Sequence, residues 1–249
     1  MGFGGGGTGG GGGFGGGGGS GLPPVTGNDG YAIIEVGGVA AFRPILGSYV
    51  GPGFGINSFL VSSVEPIVEI GVTVTNPAFI AGYTSTPDSA SVIDDQGGSS
   101  EDVSSTPTTF SYTGAYTKTA NGAVVNFTLT ATKSASSAHR SANITWQPKV
   151  YWGVGPDGLA TESDIKGLAN SPLNSSRAIT FTAAPGPSQF IYYAYPASYG
   201  AGTFYVDGWE GGFDLVSSTI NVTNHGVTQA YRLYKSTNPN LGSTNVQVV

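Results

Sequence analysis

Only two histidines, His139 and His225, are available for acid–base chemistry in this chain of 249 residues. Both lie among small polar residues and glycine, a setting typical of exposed turns. A catalytic triad needs a nucleophile and an orienting acid next to the histidine. The local motifs of serine hydrolases, zinc proteases and P-loop proteins do not occur in the sequence. We therefore expect both histidines to be exposed or at hairpin tips, and we predict no enzymatic activity.

Carboxylates are the remaining candidates for chemistry, because the acid pairs that hydrolyse sugars come together only in the folded protein. The best-placed carboxylates surround a tryptophan in VDGWEGGFD, namely Asp207, Glu210 and Asp214 around Trp209. A ring face combined with carboxylate acceptors can hold a carbohydrate, so we hypothesise a glycan contact made by Tyr199, Trp209, Asp207 and Glu210. The alternative is that Asp207-Gly208 is a hairpin turn and that Trp209 and Phe213 belong to the core or to a subunit interface.

The acidic segment 94–106, DDQGGSSEDVSST, is the other place where carboxylates concentrate. Its composition is typical of a mobile surface loop. The alternative is a calcium site built from Asp94, Asp95, Glu101 and Asp102, although their spacing does not match that of an EF-hand loop. The chain has no cysteine, which excludes disulfides and thiolate metal sites. We predict neither a metal nor a cofactor.

Charge is scarce in this chain and limits its partners. Charged residues make up 10% of the sequence, against roughly 25% in an average soluble domain. The net charge is −6, and the nine lysines and arginines are scattered singly, so we expect no nucleic-acid partner. An apolar run of the ~20 residues that a membrane span requires is absent, and we expect no membrane insertion. The first residues lack the basic and apolar regions of a signal peptide.

The N-terminal residues 1–21 are almost all glycine, interrupted by Phe3, Thr8, Phe14 and Ser20. This composition predicts a flexible low-complexity tail, since glycine loses the most backbone entropy on ordering. The alternative is an anchor that becomes ordered on assembly, with Phe3 and Phe14 filling apolar pockets. A nucleotide-binding loop does not fit, because no Gly-Lys-Ser/Thr follows.

Residues 22–58 are apolar but frequently interrupted by glycine or proline. Tyr31–Val36 is predicted to form a short strand. Gly37–Ile56 fits neither a helix nor a long strand, so we expect irregular backbone there. We interpret 22–58 as a docking segment that contributes Phe42 and Phe54 to the anchor. An ordinary buried crossover loop is an equal alternative.

From residue 59 onward, short apolar runs separated by turn residues predict an all-β protein. We expect two consecutive sandwiches of the immunoglobulin or fibronectin type, 59–149 and 150–249. In the first, Val124–Thr132 alternates between a buried and a solvent face, and Trp146 is a candidate core residue. Asn121-Gly122 predicts a hairpin that joins this strand to Tyr116–Lys118. Ile67–Val74 is predicted as one strand.

The second module contains the most regular pattern. Its predicted strands are Ile179–Thr182, Phe190–Tyr195, Thr203–Val206, Ser218–Val222 and Gln229–Tyr234. Tyr231 and Leu233 share one face, and Asn224-His225-Gly226 predicts a hairpin. The single predicted helical turn is Thr161–Leu168, with Thr161 as N-cap and Asp164 at the N3 position.

Four segments near the C-terminus combine apolar or aromatic runs with turn residues, namely YYAYPASYG, TFYVDGWEGGF, STINVTNHG and YRLYKSTNPNLGS. They are preceded by VYWGVGP, TESDIKGL and SPL. Together these segments resemble the C-terminal β-module of many bacteriophage structural proteins. Most of those proteins are tail fibres, baseplate proteins or other virion appendages. The resemblance covers about the last hundred residues well and the middle of the chain loosely. Its motifs concern packing and turns, so they indicate a structural module.

The resemblance implies a virion component that is assembled in the bacterial cytoplasm and released by lysis. It would contact other virion proteins through its N-terminal segment and form a homo-oligomer, with a trimer favoured because trimers are common in such fibres. Contact with host surface polysaccharide is a hypothesis. The alternatives are a capsid decoration, cement or head-fibre protein, and a carbohydrate-active enzyme that uses Asp207 or Glu210.

Overall fold

The computed structural model describes residues 53–249 and the backbone of residues 31–36 and 39–44. The regular secondary structure of the described chain is almost all β, with 54% of residues in strands and 4% in helix, as the sequence predicts. No helix among these residues is long and apolar enough to cross a membrane. The first strands are β1 Tyr31–Val36, β2 Val39–Pro44, β3 Ile56–Val61, β4 Ile67–Glu69, β5 Thr73–Thr75, β6 Ala78–Tyr83, β7 Ser89–Asp94, β8 Glu101–Asp102, β9 Thr109–Ser111, β10 Ala115–Thr117, β11 Ala123–Lys133 and β12 Ser136–Gln147.

The remaining elements build the C-terminal part of the chain. They are β13 Tyr151–Gly155, α1 Glu162–Lys166, β14 Ile179–Ala183, β15 Phe190–Pro196, a 3₁₀ turn at Ala197–Tyr199, β16 Phe204–Val206, β17 Trp209–Glu210, β18 Phe213–Asn224, β19 Val227–Ser236 and β20 Thr244–Val248. The chain divides into two units, Met1–Gly51 and Pro52–Val249.

In the first unit, β1 and β2 form an antiparallel pair whose register runs from Tyr31 opposite Pro44 to Val36 opposite Val39. The predicted strand Tyr31–Val36 is confirmed. The prediction of irregular backbone over Gly37–Ile56 is wrong for Val39–Pro44, and β3 already begins at Ile56. The glycines and prolines around β2 suggested irregular structure, but Gly-Gly between two short apolar runs is also a frequent hairpin connection.

The N-terminal sandwich consists of a five-stranded sheet, β4-β12-β11-β7-β8, facing a three-stranded sheet, β3-β6-β9. A two-stranded pair, β10-β5, adds Val74 and Tyr116 to the same core. Phe79 and Phe127 meet between the two sheets with their ring centroids 4.9 Å apart. The alternation predicted for β11 is confirmed, because Val125, Phe127, Leu129 and Ala131 are all fully buried. Trp146 is buried as predicted.

Two predictions within this sandwich are wrong. The run Ile67–Val74 is not one strand, because Gly71 adopts φ +83° and sends β4 and β5 into different sheets. Asn121-Gly122 does not join β10 to β11 as a hairpin, since β10 pairs with β5 and β11 pairs with β12 and β7. The Asn-Gly pair signals a turn, but long-range packing decides which strands the turn places side by side.

The C-terminal sandwich packs the sheet β13-β15-β19-β18 against the sheet β14-β20-β16-β17. Its central strand is β15, FIYYAYP, whose residues from Ile191 to Pro196 are all buried. Ile191, Tyr193 and Tyr195 face the other sheet. Tyr192 and Ala194 face a second apolar cluster that includes α1. The sequence pattern did not identify β20, which lies between β14 and β16 and supplies Val246 and Val248 to the core.

The predicted helical turn is confirmed as α1. Thr161 is its N-cap, Asp164 completes a capping box, and Gly167 is the C-cap. Ile165 is fully buried and packs with Leu168 against Tyr231 and Leu233. The helix therefore covers the face of β15 and β19 that points away from the sandwich core.

Seven tyrosines tie loops to the sheets, because each donates its hydroxyl hydrogen to a backbone carbonyl outside the strands. We call them the loop-anchoring tyrosines: Tyr83, Tyr112, Tyr192, Tyr193, Tyr195, Tyr199 and Tyr231. Their acceptors are the carbonyls of Pro107, Ser99, Pro156, Arg177, Gly200, Asn174 and Lys149. Burial raises the pKa of every one of them, to about 12 for Tyr199. The hydroxyls therefore remain protonated donors at neutral pH.

Candidate functional site

The predicted anchor residues lie mostly beyond what the structure describes. Phe3 and Phe14 are outside the described residues, and Phe42 lies in β2, where only the backbone is described. Phe54 is described and packs within its own unit. Its ring stacks on Tyr83 with centroids 6.3 Å apart, against the core of the N-terminal sandwich. The contribution of Phe54 to an anchor therefore stays a prediction.

Trp209 is the most exposed large apolar residue described, with 82% of its surface open to solvent. It follows a two-residue turn at Asp207-Gly208, where φ is +48° and +88°, so the predicted hairpin turn is confirmed. Of the two alternatives for Trp209, a place in the core is wrong, because the residue is exposed at the start of the edge strand β17; a place in a subunit interface stays a prediction. Phe213 faces the core, and its ring stacks on that of Phe204 with the centroids 4.5 Å apart.

The four residues of the glycan-contact hypothesis do not form one surface of free side chains. Asp207 Oδ1 accepts a hydrogen bond of 2.9 Å from the amide of Asn245, so this carboxylate stabilises the turn. Tyr199 donates to the Asn174 carbonyl at 2.8 Å and stacks on Tyr195, so it belongs to the packing. Glu210 makes only a long contact, 3.5 Å, with the Tyr205 hydroxyl. Trp209 and Glu210 are the members that remain available to a ligand.

The structure adds two apolar residues to this region that the sequence analysis missed. The chain crosses from β17 to β18 through Gly211-Gly212, so the two edge strands follow each other along one side of the sandwich. Leu215 and Val216 on β18 are exposed there. A small cavity of about 80 Å³ next to Val216 is lined by Leu159, Tyr192 and the Asp157–Lys235 pair, among others. In the sequence, Leu215-Val216 follows the pair Gly211-Gly212 after two further residues. This pattern does not by itself indicate that the two apolar side chains are exposed.

Asp94 is buried, and its hydrogen bonds stabilise the fold. Its carboxylate accepts a 2.7 Å hydrogen bond from the Tyr116 hydroxyl. It also accepts bonds of 3.0 Å and 2.8 Å from the amides of Gln96 and Gly98. An open cleft of about 390 Å³ lies beside this network. With three donors on two oxygens, Asp94 is a well-satisfied buried carboxylate.

The acidic segment 94–106, expected to be a surface loop, is not a loop throughout, because Glu101–Asp102 forms β8 and pairs with β7. Val103 is buried in the N-terminal core. The other three acids bind separate partners: Asp95 bonds to Asn126, Glu101 to the Thr113 amide and Asp102 to Ser104. Among the residues that the structure describes, no group of three or more metal-ligating side chains comes together.

The two histidines occupy different settings. His139 is exposed and shares a 2.9 Å hydrogen bond between its Nδ1 and the Thr130 hydroxyl. His225 lies at the tip of the predicted β18–β19 hairpin, which is confirmed by φ of +46° at His225 and +77° at Gly226. The imidazole Nε2 of His225 lies 3.1 Å from Glu69 Oε2.

The Glu69 carboxylate stands where the two sandwiches meet. It is buried, and Oε2 also binds the Lys149 ammonium at 2.9 Å, while Oε1 has no hydrogen-bond partner among the described residues. Gly71 lies so close to the His225 carbonyl that a Cβ would approach this oxygen to 2.7 Å. These contacts join the β4–β5 turn, the chain between the sandwiches and the β18–β19 hairpin, so they fix one sandwich against the other.

Comparisons with known proteins found no match: no protein-family model matches the chain, and no curated protein matches it significantly.

We predict that Tyr116→Phe lowers the free energy of unfolding by about 1.5–3 kcal/mol, the usual value for a hydrogen bond to a charged group. The bond to Asp94 is lost, although the two amide donors remain. Urea unfolding monitored by circular dichroism measures the change.

The matched control is Tyr205→Phe, which removes a hydroxyl with only a 3.5 Å contact. We expect it to change the free energy of unfolding by less than ~0.5 kcal/mol. Equal effects of the two variants would show that the Tyr116–Asp94 bond does not hold the acidic segment.

Proposed function

We propose that this protein is a non-enzymatic structural component of a bacteriophage virion, a tail fibre or baseplate appendage attached through residues 1–58. The proposal is based on where the segments that resemble phage modules lie in the fold. They supply β15, β16, β18 and β19, which are the central and edge strands of the C-terminal sandwich. The residues that resemble virion modules are therefore the residues that build this module.

The use of polar groups supports a structural role. Asp94 binds Tyr116, Glu69 binds Lys149 and His225, and Asp164 caps α1. Each of these carboxylates satisfies neighbouring donors, as expected for groups that hold a fold together. Few side chains on the described surface are charged, so the sandwiches present mainly hydroxyl and amide groups to their surroundings.

Immunogold labelling of intact phage particles with an antibody against residues 22–249 tests this proposal. We expect gold at the tail or the baseplate. Gold over the head, in high copy number, would move the protein to the alternative class of capsid decoration, cement or head-fibre proteins. Protein found only free in the lysate, with no gold on any particle, would refute a virion role.

A contact with host surface polysaccharide is a second proposal, and the exposure of Trp209 favours it. Its ring projects from the β16–β17 turn, and an exposed ring can stack on a sugar. Glu210 is the next residue of β17, and consecutive side chains of a strand point to opposite faces, so the proposal depends on the ring of Trp209. Tyr199 takes no part in this proposal, because its hydroxyl and ring are occupied inside the protein.

Titration of the protein with polysaccharide purified from the host tests the contact by calorimetry. Because single aromatic anchors carry much of the energy of a small contact, Trp209→Ala should weaken binding by about tenfold or more. The control is Ile93→Ala, which truncates an exposed apolar residue on the other sandwich and should leave binding unchanged. Equal affinity of Trp209→Ala and wild type, or no binding by either, would remove the proposal.

A further inference from the structure

The outer face of the three-stranded sheet β3-β6-β9 carries two large apolar side chains in solvent. Leu60 is 62% exposed and Ile80 is 50% exposed. The two residues lie directly opposite each other in the β3–β6 register, so their side chains are neighbours on the same face. The core of this sandwich lies on the other face, which holds Phe59, Phe79 and Phe110.

The strands of this outer face carry no charged residue of their own. The strands INSFLV, AFIAGY and TFS contain no acidic or basic residue. The positions around the apolar pair are small or carry short polar side chains, namely Ser58, Ala78, Gly82, Thr109 and Ser111. Leu60 and Ile80 therefore stand above a smooth surface, a shape that suits packing against another sheet face.

Outside this face, the most exposed large apolar residues described are Trp209 and Leu215, and they lie among Asp207, Glu210 and Asp214 in the sequence. Two copies meeting symmetrically at that edge would place like charges together, which disfavours association. The chain carries a net charge of −6, so an uncharged face is where two copies can approach without this penalty.

The area of the face sets the expected strength of such a contact. Two strands of six residues and one of three, spaced ~4.8 Å apart, cover roughly 240 Å², well below the ~800 Å² per partner of a standard stable interface. A groove of about 350 Å³ beside Leu60 extends the surface and is also uncharged, being lined by Val61, Pro66, Ser141, Ala142 and Asn143. The contact should therefore be weak and depend on protein concentration.

We propose that this face, centred on Leu60 and Ile80, packs against the same face of a second copy of the chain. The contact is isologous, so each copy buries the Leu60–Ile80 pair of the other, and the expected assembly is a dimer. This differs from the trimer implied by the resemblance to phage fibres. The inference does not depend on a virion role, because it follows from the exposed pair and the distribution of charge.

Sedimentation equilibrium of the full chain over a wide range of protein concentration tests the proposal. We expect a reversible monomer–dimer equilibrium for the wild type. The double variant Leu60→Asp/Ile80→Asp puts two carboxylates on each face, and we expect its dimerisation to weaken by a hundredfold or more. Leu215→Asp is the matched control, since it adds a charge to an apolar residue that is 47% exposed on the acidic edge.

The control variant should dimerise like the wild type. A trimer, a dimer that survives in the double variant, or a dimer that Leu215→Asp abolishes would each overturn the proposal. A monomeric wild type would overturn it too. Circular dichroism and the melting temperature of the double variant show whether its fold is intact.

Discussion

The hydrogen bond from a buried tyrosine hydroxyl to a loop carbonyl is the interaction on which much of this structure depends. The chain has no disulfide and few charges to hold its long connections. Instead, the seven loop-anchoring tyrosines reach from the sheets and their ends to carbonyls between the strands. A tyrosine ring can fill a core while its hydroxyl satisfies a backbone group, so one residue supplies both apolar burial and a loop contact. The loop between α1 and β14 receives two of these bonds, at Asn174 and Arg177.

This arrangement determines where the protein can meet other molecules. The most exposed large apolar side chains of the described chain lie on a sheet face and at a sandwich edge. The face carries Leu60 and Ile80 without charge, and the edge carries Trp209 and Leu215 among acids. We propose that the first contacts a second copy and the second a host glycan. The two surfaces lie on different sandwiches, which the Glu69 contacts hold against each other.

The sequence predicted those elements whose signals are local. The alternation of β11, the capping box at Thr161 and the turn at His225-Gly226 all depend on residues close together in the chain, and all three are confirmed. Pairing between distant strands was not predictable in this way, so Asn121-Gly122 was assigned to the wrong hairpin. For the same reason the sequence left open whether Trp209 is exposed, and it did not predict the burial of Asp94. The first depends on which strands become edges, and the second on donors such as Tyr116 that lie far along the chain.

Hydrogen exchange measured by mass spectrometry on the double variant Tyr193→Phe/Tyr199→Phe tests the role of the loop-anchoring tyrosines most directly. Each lost bond is worth about 1 kcal/mol, so amides in residues 170–178 should exchange roughly tenfold faster or more, while β15 and β19 keep their protection. Tyr205→Phe serves as the control and should change nothing. If the exchange of residues 170–178 in the double variant equals that of the wild type, the tyrosine hydroxyls do not hold the loops and this account of the fold is wrong.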